Sequence, residues 1–176
     1  MDAAADNDHH ISHIKGKQMP TLLVYTSRHG CAEKCANKIS DLMDADIQVV
    51  NIKESSKFKL SDFDTIILGG SIHAGQVQKK VKKYCHEHLN ELKSKRLGLF
   101  LCCMEEGEKA EQQFNNAFPD ELIQHAAAKG LFGGEFDFEK MNFIERAITR
   151  KVAKIEKSIS KIDEAAIEKF VIDLRS

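Results

Sequence analysis

The sequence predicts an α/β fold, a parallel sheet covered by helices on both faces. Two observations carry this expectation. From residue 20 onward, apolar β-type runs alternate with stretches of helical period, starting with TLLVY, CAEKCANKISDLM and IQVVNI in succession. Each strand–helix–strand series of this kind needs a crossover that lays its helix on a sheet face. The runs are also continuously apolar rather than alternating, the pattern of strands buried on both sides.

The elements follow in order. Residues 1–19 have no sustained apolar period and are expected to form a mobile tail ahead of one domain over residues 20–176. His9, His10 and His13 in that tail lack the fixed geometry of a metal site, and no metal is expected. TLLVY is the first strand, and the helix from Cys31 sets Cys35, Ile39 and Leu42 at helical spacing. IQVVNI is the second strand and DTIILGGS the third, followed by the helix QKKVKKYCHEHLN with Val81, Tyr84, Cys85 and Leu89 on one side. RLGLFLCC is the fourth strand and EKAEQQFNNAF its helix; Pro119 breaks the chain before a weaker fifth strand within AAKGLFGGEF. A helix over residues 143–160 and a last one over DEAAIEKFVIDL, capped by Asp163, close the chain.

With 176 residues the chain is long enough for one real core, burying about 70% of its unfolded surface. The formal charge of −1 gives no electrostatic footing for nucleic acid. No apolar run approaches the ~20 residues that cross a bilayer, and the start lacks a signal-peptide layout. A cytoplasmic location is expected. Five cysteines in regular segments read as reduced thiols, and Cys31 and Cys35 lack C-x-x-C spacing.

In an open parallel sheet, ligands bind beyond the carboxyl ends of the strands where strand order reverses. An order of 2-1-3-4-5 brings TSRHGCAE, GGSIHAGQ and CCMEEGE to one crevice. In the first loop Thr26 and Ser27 offer hydroxyls, Gly30 allows close backbone approach, and the helix from Cys31 presents unpaired N–H groups and the positive end of its dipole. Arg28 can add a charge-assisted hydrogen bond. The loop lacks the GKS/T ending of nucleotide triphosphate sites and the GxGxxG of dinucleotide sites, so a monophosphate fits better.

YTSRHGCAEKCA followed by DTIILGGSIHAGQVQKKVKKY resembles the flavodoxin-like family, in particular the branch of menaquinone-dependent protoporphyrinogen oxidases and their flavodoxin-domain relatives. A phosphate loop, a G-x-S-I second loop and a late GG segment ahead of a basic amphipathic helix carry the resemblance, over residues 19–174. It implies a three-layer sandwich with a five-stranded parallel sheet in order 2-1-3-4-5. It also implies FMN as cofactor. The phosphate would rest on Thr26, Ser27, Arg28, His29, Gly30 and Cys31. The ring would lie between Ser71, Ile72, His73, Ala74 and Gly75 on one side and Cys103, Met104, Glu105, Glu106 and Gly107 on the other.

Two features depart from the family pattern. Ala32 stands where a hydroxyl residue usually closes the phosphate loop, and the second and third loops offer no aromatic pair to sandwich the ring. The resemblance implies an FMN-dependent oxidoreductase akin to quinone-linked protoporphyrinogen oxidase. A flavodoxin-type electron carrier and a non-redox interaction module with a weakened flavin site are the alternatives. The chemistry would be the flavin's, with no protein nucleophile and with His73 as the one candidate for a direct part in it. The redox partner would be a quinone, a porphyrinogen or an electron-transfer protein. Ile144, Ile148, Val152, Ile155 and Ile159 share one face of the 143–160 helix, with Arg146, Arg150, Lys151, Lys154 and Lys157 over the rest, a layout that covers a sheet or touches an anionic membrane surface.

Overall fold

The computed structural model describes residues 20–43, 46–54 and 57–176, and the tail expected over residues 1–19 lies outside these. Strand β1 (Thr21–Tyr25) leads into α1 (Cys31–Leu42), and β2 (Ile47–Asn51) returns parallel to β1 with Thr21 opposite Ile47. Strand β3 (Thr65–His73) pairs in parallel with the other side of β1, Thr21 opposite Thr65. It turns into a short antiparallel β4 (Gln76–Val77), and helices α2 (Lys79–Glu87) and α3 (Leu89–Leu92) follow. Next come β5 (Arg96–Cys102), α4 (Gly107–Ala117), α5 (Asp120–His125) and β6 (Ala128–Leu131). The sheet order is β2-β1-β3-β5-β6, with β4 attached to β3. Counted over its parallel strands, that is the expected 2-1-3-4-5.

Successive residues of β1 go to opposite faces, as strand geometry requires. Leu22 and Val24 join Leu97, Leu99 and Leu101 against Val81 and Cys85 of α2, Phe114 of α4 and Leu122 of α5. Leu23 and Tyr25 join Ile67 and Phe100 against Cys31, Cys35 and Ile39 of α1 and against Ile167, Phe170 and Leu174 of the final helix, α7 (Glu164–Arg175). These are the three layers. Phe100, stacked on Phe132 at 5.2 Å and edge-on to Phe170 at 6.5 Å, is fully buried. Burial of one such side chain contributes about 1.5–3 kcal/mol. Asp163 caps α7, as expected, by accepting the Ala166 N–H at 3.0 Å.

Four expectations need correction. The third strand runs on to His73, because Ile72 pairs with Val77 and His73 with Gln76 across a tight turn. Ala74 and Gly75 both have positive φ, 49° and 76°, the geometry that a two-residue hairpin demands and glycine supplies most easily. The helix expected over QKKVKKYCHEHLN is two helices, α2 and α3, and α5 after Pro119 was not foreseen.

The largest correction concerns residues 143–160. Helix α6 (Phe143–Ala153) stops where Lys154 turns left-handed at φ 55°, and Ile159 lies instead in β8 (Ile159–Ser160), antiparallel to β7 (Glu135–Phe136). No α6 residue is buried, and Phe143, Ile144 and Val152 are 85%, 68% and 76% exposed. The physical reason is occupancy: α1 and α7 fill one sheet face and α2, α4 and α5 the other, leaving none for α6 to cover. Among the described residues no helix is long and apolar enough to cross a membrane.

Candidate functional site

The carboxyl ends of β1, β3 and β5 open onto a cleft of about 720 Å³. Of the expected site residues, Arg28, His29, Cys31, Ser71, Ile72, His73, Ala74, Gly75, Cys103, Met104 and Glu105 line it. Thr26, Ser27 and Gly30 lie behind this wall and shape it. The Thr26 hydroxyl, fully buried, donates to Gln78 Oε1 at 2.7 Å, and its N–H donates to the Gly69 carbonyl at 3.1 Å. Ser27 Oγ accepts the Gly30 N–H at 2.9 Å. Glu106 and Gly107 turn away into α4, where Glu106 meets Lys161 at 2.7 Å.

Gln78, which sequence reasoning missed, ties two of these loops together. Its Oε1 also accepts the Ser71 N–H at 3.2 Å, and its Nε2 donates to Ser71 Oγ at 3.0 Å. Ala32, read from sequence as a missing phosphate ligand, is fully buried and packs with Leu23 and Phe132 in the core.

A fourth wall was also missed. The strap β7–α6–β8 brings Glu135, Phe136, Met141, Glu145, Ile148 and Val152 to the cleft. It docks through the two glycines after β6: Cys103 N–H donates to the Gly133 carbonyl at 2.9 Å, and Lys161 N–H donates to the Gly134 carbonyl at 2.8 Å. Gly133 has φ 68°, and a Cβ there would lie 1.9 Å from the Lys161 carbonyl oxygen. The strap's helix opens with a capping box: Asn142 Oδ1 accepts the Glu145 N–H at 2.9 Å, and Glu145 Oε2 accepts the Asn142 N–H at 3.0 Å. That box was legible as N-x-x-E; its position over the cleft was not.

Positive charge gathers at the N-terminus of α1. Lys53 Nζ donates to the Ser27 carbonyl, and Lys140 Nζ lies 2.5 Å from where a Gly30 Cβ would be. Arg28 reaches Glu145 at 2.5 Å and His29 Nε2 reaches it at 3.2 Å. The Glu145 carboxyl is held down to about 2, chiefly by the Asn142 N–H and further by His29 and Arg28. Burial lowers the pKa of His73, with Arg28 and His29 adding to it, and the two imidazoles stand 5.7 Å apart. Burial also lowers Lys53, with Arg28 and Lys80 contributing.

The flavodoxin domain family matches residues 22–163, most of the chain. This chain belongs to that family. The flavodoxin domain is also 21% identical over 168 residues to a protoporphyrinogen IX dehydrogenase [quinone] of Leishmania major, covering 86% of this chain and 73% of that one. Among solved structures, it resembles flavodoxin 1 of Bacillus cereus (17% identity, TM-score 0.51, covering 89% of this chain and 97% of that one). It also resembles a WrbA-like flavodoxin of Agrobacterium tumefaciens (16% identity, TM-score 0.51, covering 89% and 94%).

Flavodoxin domains bind FMN, and the residues here fit it. The N-terminus of a twelve-residue helix, Arg28, His29 and Lys140 suit a phosphate dianion. Ile72, His73, Met104 and, from the strap, Phe136 give the cleft apolar and aromatic walls for a ring. Glu145 is a discordant group, an anion already paired with the Arg28 guanidinium and in contact with His29, both of which a phosphate would use.

Proposed function

We propose that the chain is an FMN-dependent oxidoreductase, with the phosphate at the 26–31 loop and the ring between the 71–75 hairpin and the 103–107 loop. The observation that carries this reading is the collection of Arg28, His29 and Lys140 around the N-terminus of α1, at the head of a cleft in a flavodoxin domain. When bound, FMN supplies the exchange of one or two electrons. The chain's own residues bind, orient and screen. Gln78 fixes the loop to the hairpin, so that phosphate end and ring end keep one spacing. The α6 wall limits water in the cleft. His73, its pKa lowered by burial, is neutral at physiological pH and can take up a proton at a ring nitrogen beside the cleft.

The finer reading is oxidation of a porphyrinogen linked to quinone reduction. The Leishmania relative supports it, and so does the apolar strip of Ile148, Val152 and Ile155 along the cleft, which suits a flat, lipophilic reactant. Beside that strip Phe143 and Ile144 point to solvent and Arg150 and Lys151 supply basic charge, which favours peripheral contact with an anionic bilayer where a quinone would reside. The test begins with the purified protein: flavin absorbance, and FMN released on denaturation, are expected. Porphyrinogen-dependent quinone reduction should follow. Exchange only with redox proteins would assign an electron carrier, and no uptake of added FMN would leave an interaction module.

A further inference from the structure

Three of the five cysteines meet beneath the cleft. Cys31 opens α1, Cys35 follows one turn later on the same face, and Cys102 ends β5. The sulfurs of all three lie within 4.8 Å of one another, and Cys102 and Cys35 approach to 3.5 Å. The side chains are at most 6% exposed, yet Cys31 and Cys102 border the cleft. Cys85 lies in the opposite core cluster, away from this group.

Buried free cysteines are commonly small apolar packing residues, and packing alone would account for any one of these. Three sulfurs at this spacing form a donor set. An ion with three sulfur bonds of about 2.3 Å holds its ligands roughly 3.5–4 Å apart, inside the 4.8 Å within which all three sulfurs lie and close to the 3.5 Å approach of Cys35 and Cys102. Sulfur-only coordination selects soft ions. Among the described residues no histidine or carboxylate joins the cluster, so a tetrahedral zinc site would lack its fourth protein ligand. Charge narrows the choice. Three thiolates around a univalent ion leave two net negative charges in a buried site and around a divalent ion one, whereas a trivalent ion leaves none.

We propose that Cys31, Cys35 and Cys102 form a trigonal thiolate site for a soft trivalent metalloid, arsenite being the probe. Loading is a ligand exchange. Three As–O bonds of arsenous acid break, three As–S bonds form, each thiol proton leaves in a water molecule, and arsenic keeps its oxidation state. The cleft gives the entrance, since two of the three ligands border it. The site is independent of the FMN reading, and its test uses no flavin signal.

Reduced full-length protein is titrated with arsenite while sulfur-to-arsenic charge-transfer absorbance is followed and intact mass is read. One arsenic per chain, with the loss of three protons, is expected. Cys31→Ala, at the cleft surface, should weaken binding by more than the roughly tenfold that even an outer-shell change costs a metal site, and Cys85→Ala should leave it unchanged. Cys102→Ala should act as Cys31→Ala does; if it fails to fold by melting temperature, Cys31→Ala decides alone. A folded, reduced protein that forms no adduct overturns the site. So do an adduct that loses only two protons and binding that survives Cys31→Ala undiminished.

Discussion

The loop after β1 and the strap β7–α6–β8 face each other across one cleft, and they are held in opposite ways. The loop is welded to the core: Thr26 is fully buried and bonded to β3 and to Gln78, and Cys31 and Ala32 pack under it. The strap rests on few points. Phe138 and Met141 are its buried residues, Gly133 and Gly134 seat its two ends, and Glu145 joins α6 to Arg28 and His29. A site built this way has one wall with the stability of the whole domain and another that can open at far lower cost. Four substitutions test that contrast.

Gly69→Ala should have the largest effect. A Cβ at Gly69 would fall 2.0 Å from the Phe100 ring, which is fully buried against Phe132 and has nowhere to retreat. Overpacking of this kind costs about 1–3 kcal/mol. Each kcal/mol lowers Tm by roughly 2–4 °C in a domain of this size. An unchanged Tm would mean that the Phe100 ring has a free alternative position.

Gly133→Ala applies the same insult to the strap. Its positive φ and the 1.9 Å approach to the Lys161 carbonyl oxygen forbid a side chain without a backbone shift, a strain of about 1–3 kcal/mol. The loss should stay local. Hydrogen exchange is expected to quicken in β7, α6 and β8 while amides of β1, β3 and β5 keep their protection. Equal loss of protection in those strands would erase the distinction between the two walls.

The same contrast explains what was legible in the sequence. β1, β3 and β5 announce themselves as continuous apolar runs because both their faces are buried, and with the helices between them they dictate the strand order. The ends of those strands then locate the cleft. Helix α6 carries an equally clear apolar period, but period reports only that one face is apolar and is silent on what covers it. Its expected sheet face was already taken by other helices. Gln78 was invisible for a different reason: its role depends on a hairpin that returns it to Thr26, and no spacing rule links residues 26, 71 and 78. Ala32 has two readings for a related reason: its place in the motif marks a missing ligand, while its place on the helix puts it in the core.

Glu145→Gln should produce a smaller and more informative change. The carboxyl is held down to about 2, below the ~4.3 of an unfolded glutamate. Its contribution to the closed strap is therefore complete above pH ~4.3 and is lost as pH falls through about 2. Limited proteolysis of α6 should increase over that window in the native protein, and the glutamine variant should lack the pH dependence. FMN should bind the variant more tightly, because one like charge a few ångströms from a phosphate opposes it by about 1 kcal/mol in water, roughly fivefold in affinity. Weaker FMN binding would mean that closure of the strap outweighs the repulsion, and would bind the two walls into one functional unit.

Ser27→Ala bears on the rigid wall alone. Ser27 Oγ already accepts the Gly30 N–H at 2.9 Å, so the hydroxyl staples the turn that presents the α1 N-terminus. A neutral hydrogen bond of this kind contributes about 1 kcal/mol to stability. The hydroxyl keeps its own proton to donate, however, since accepting one hydrogen bond leaves its O–H free. A phosphate at the loop would take that proton in a bond to a charged acceptor, worth about 1.5–3 kcal/mol. The two roles therefore part in one preparation. A turn staple alone lowers Tm slightly and leaves FMN affinity unchanged, whereas a staple that is also a ligand weakens FMN by a factor of ten or more on the larger estimate. Ser27→Thr, which restores the hydroxyl, should recover both quantities if the loop tolerates the added methyl. Recovery of stability without recovery of affinity would place the phosphate elsewhere along the loop, on Arg28 and the Cys31 N–H.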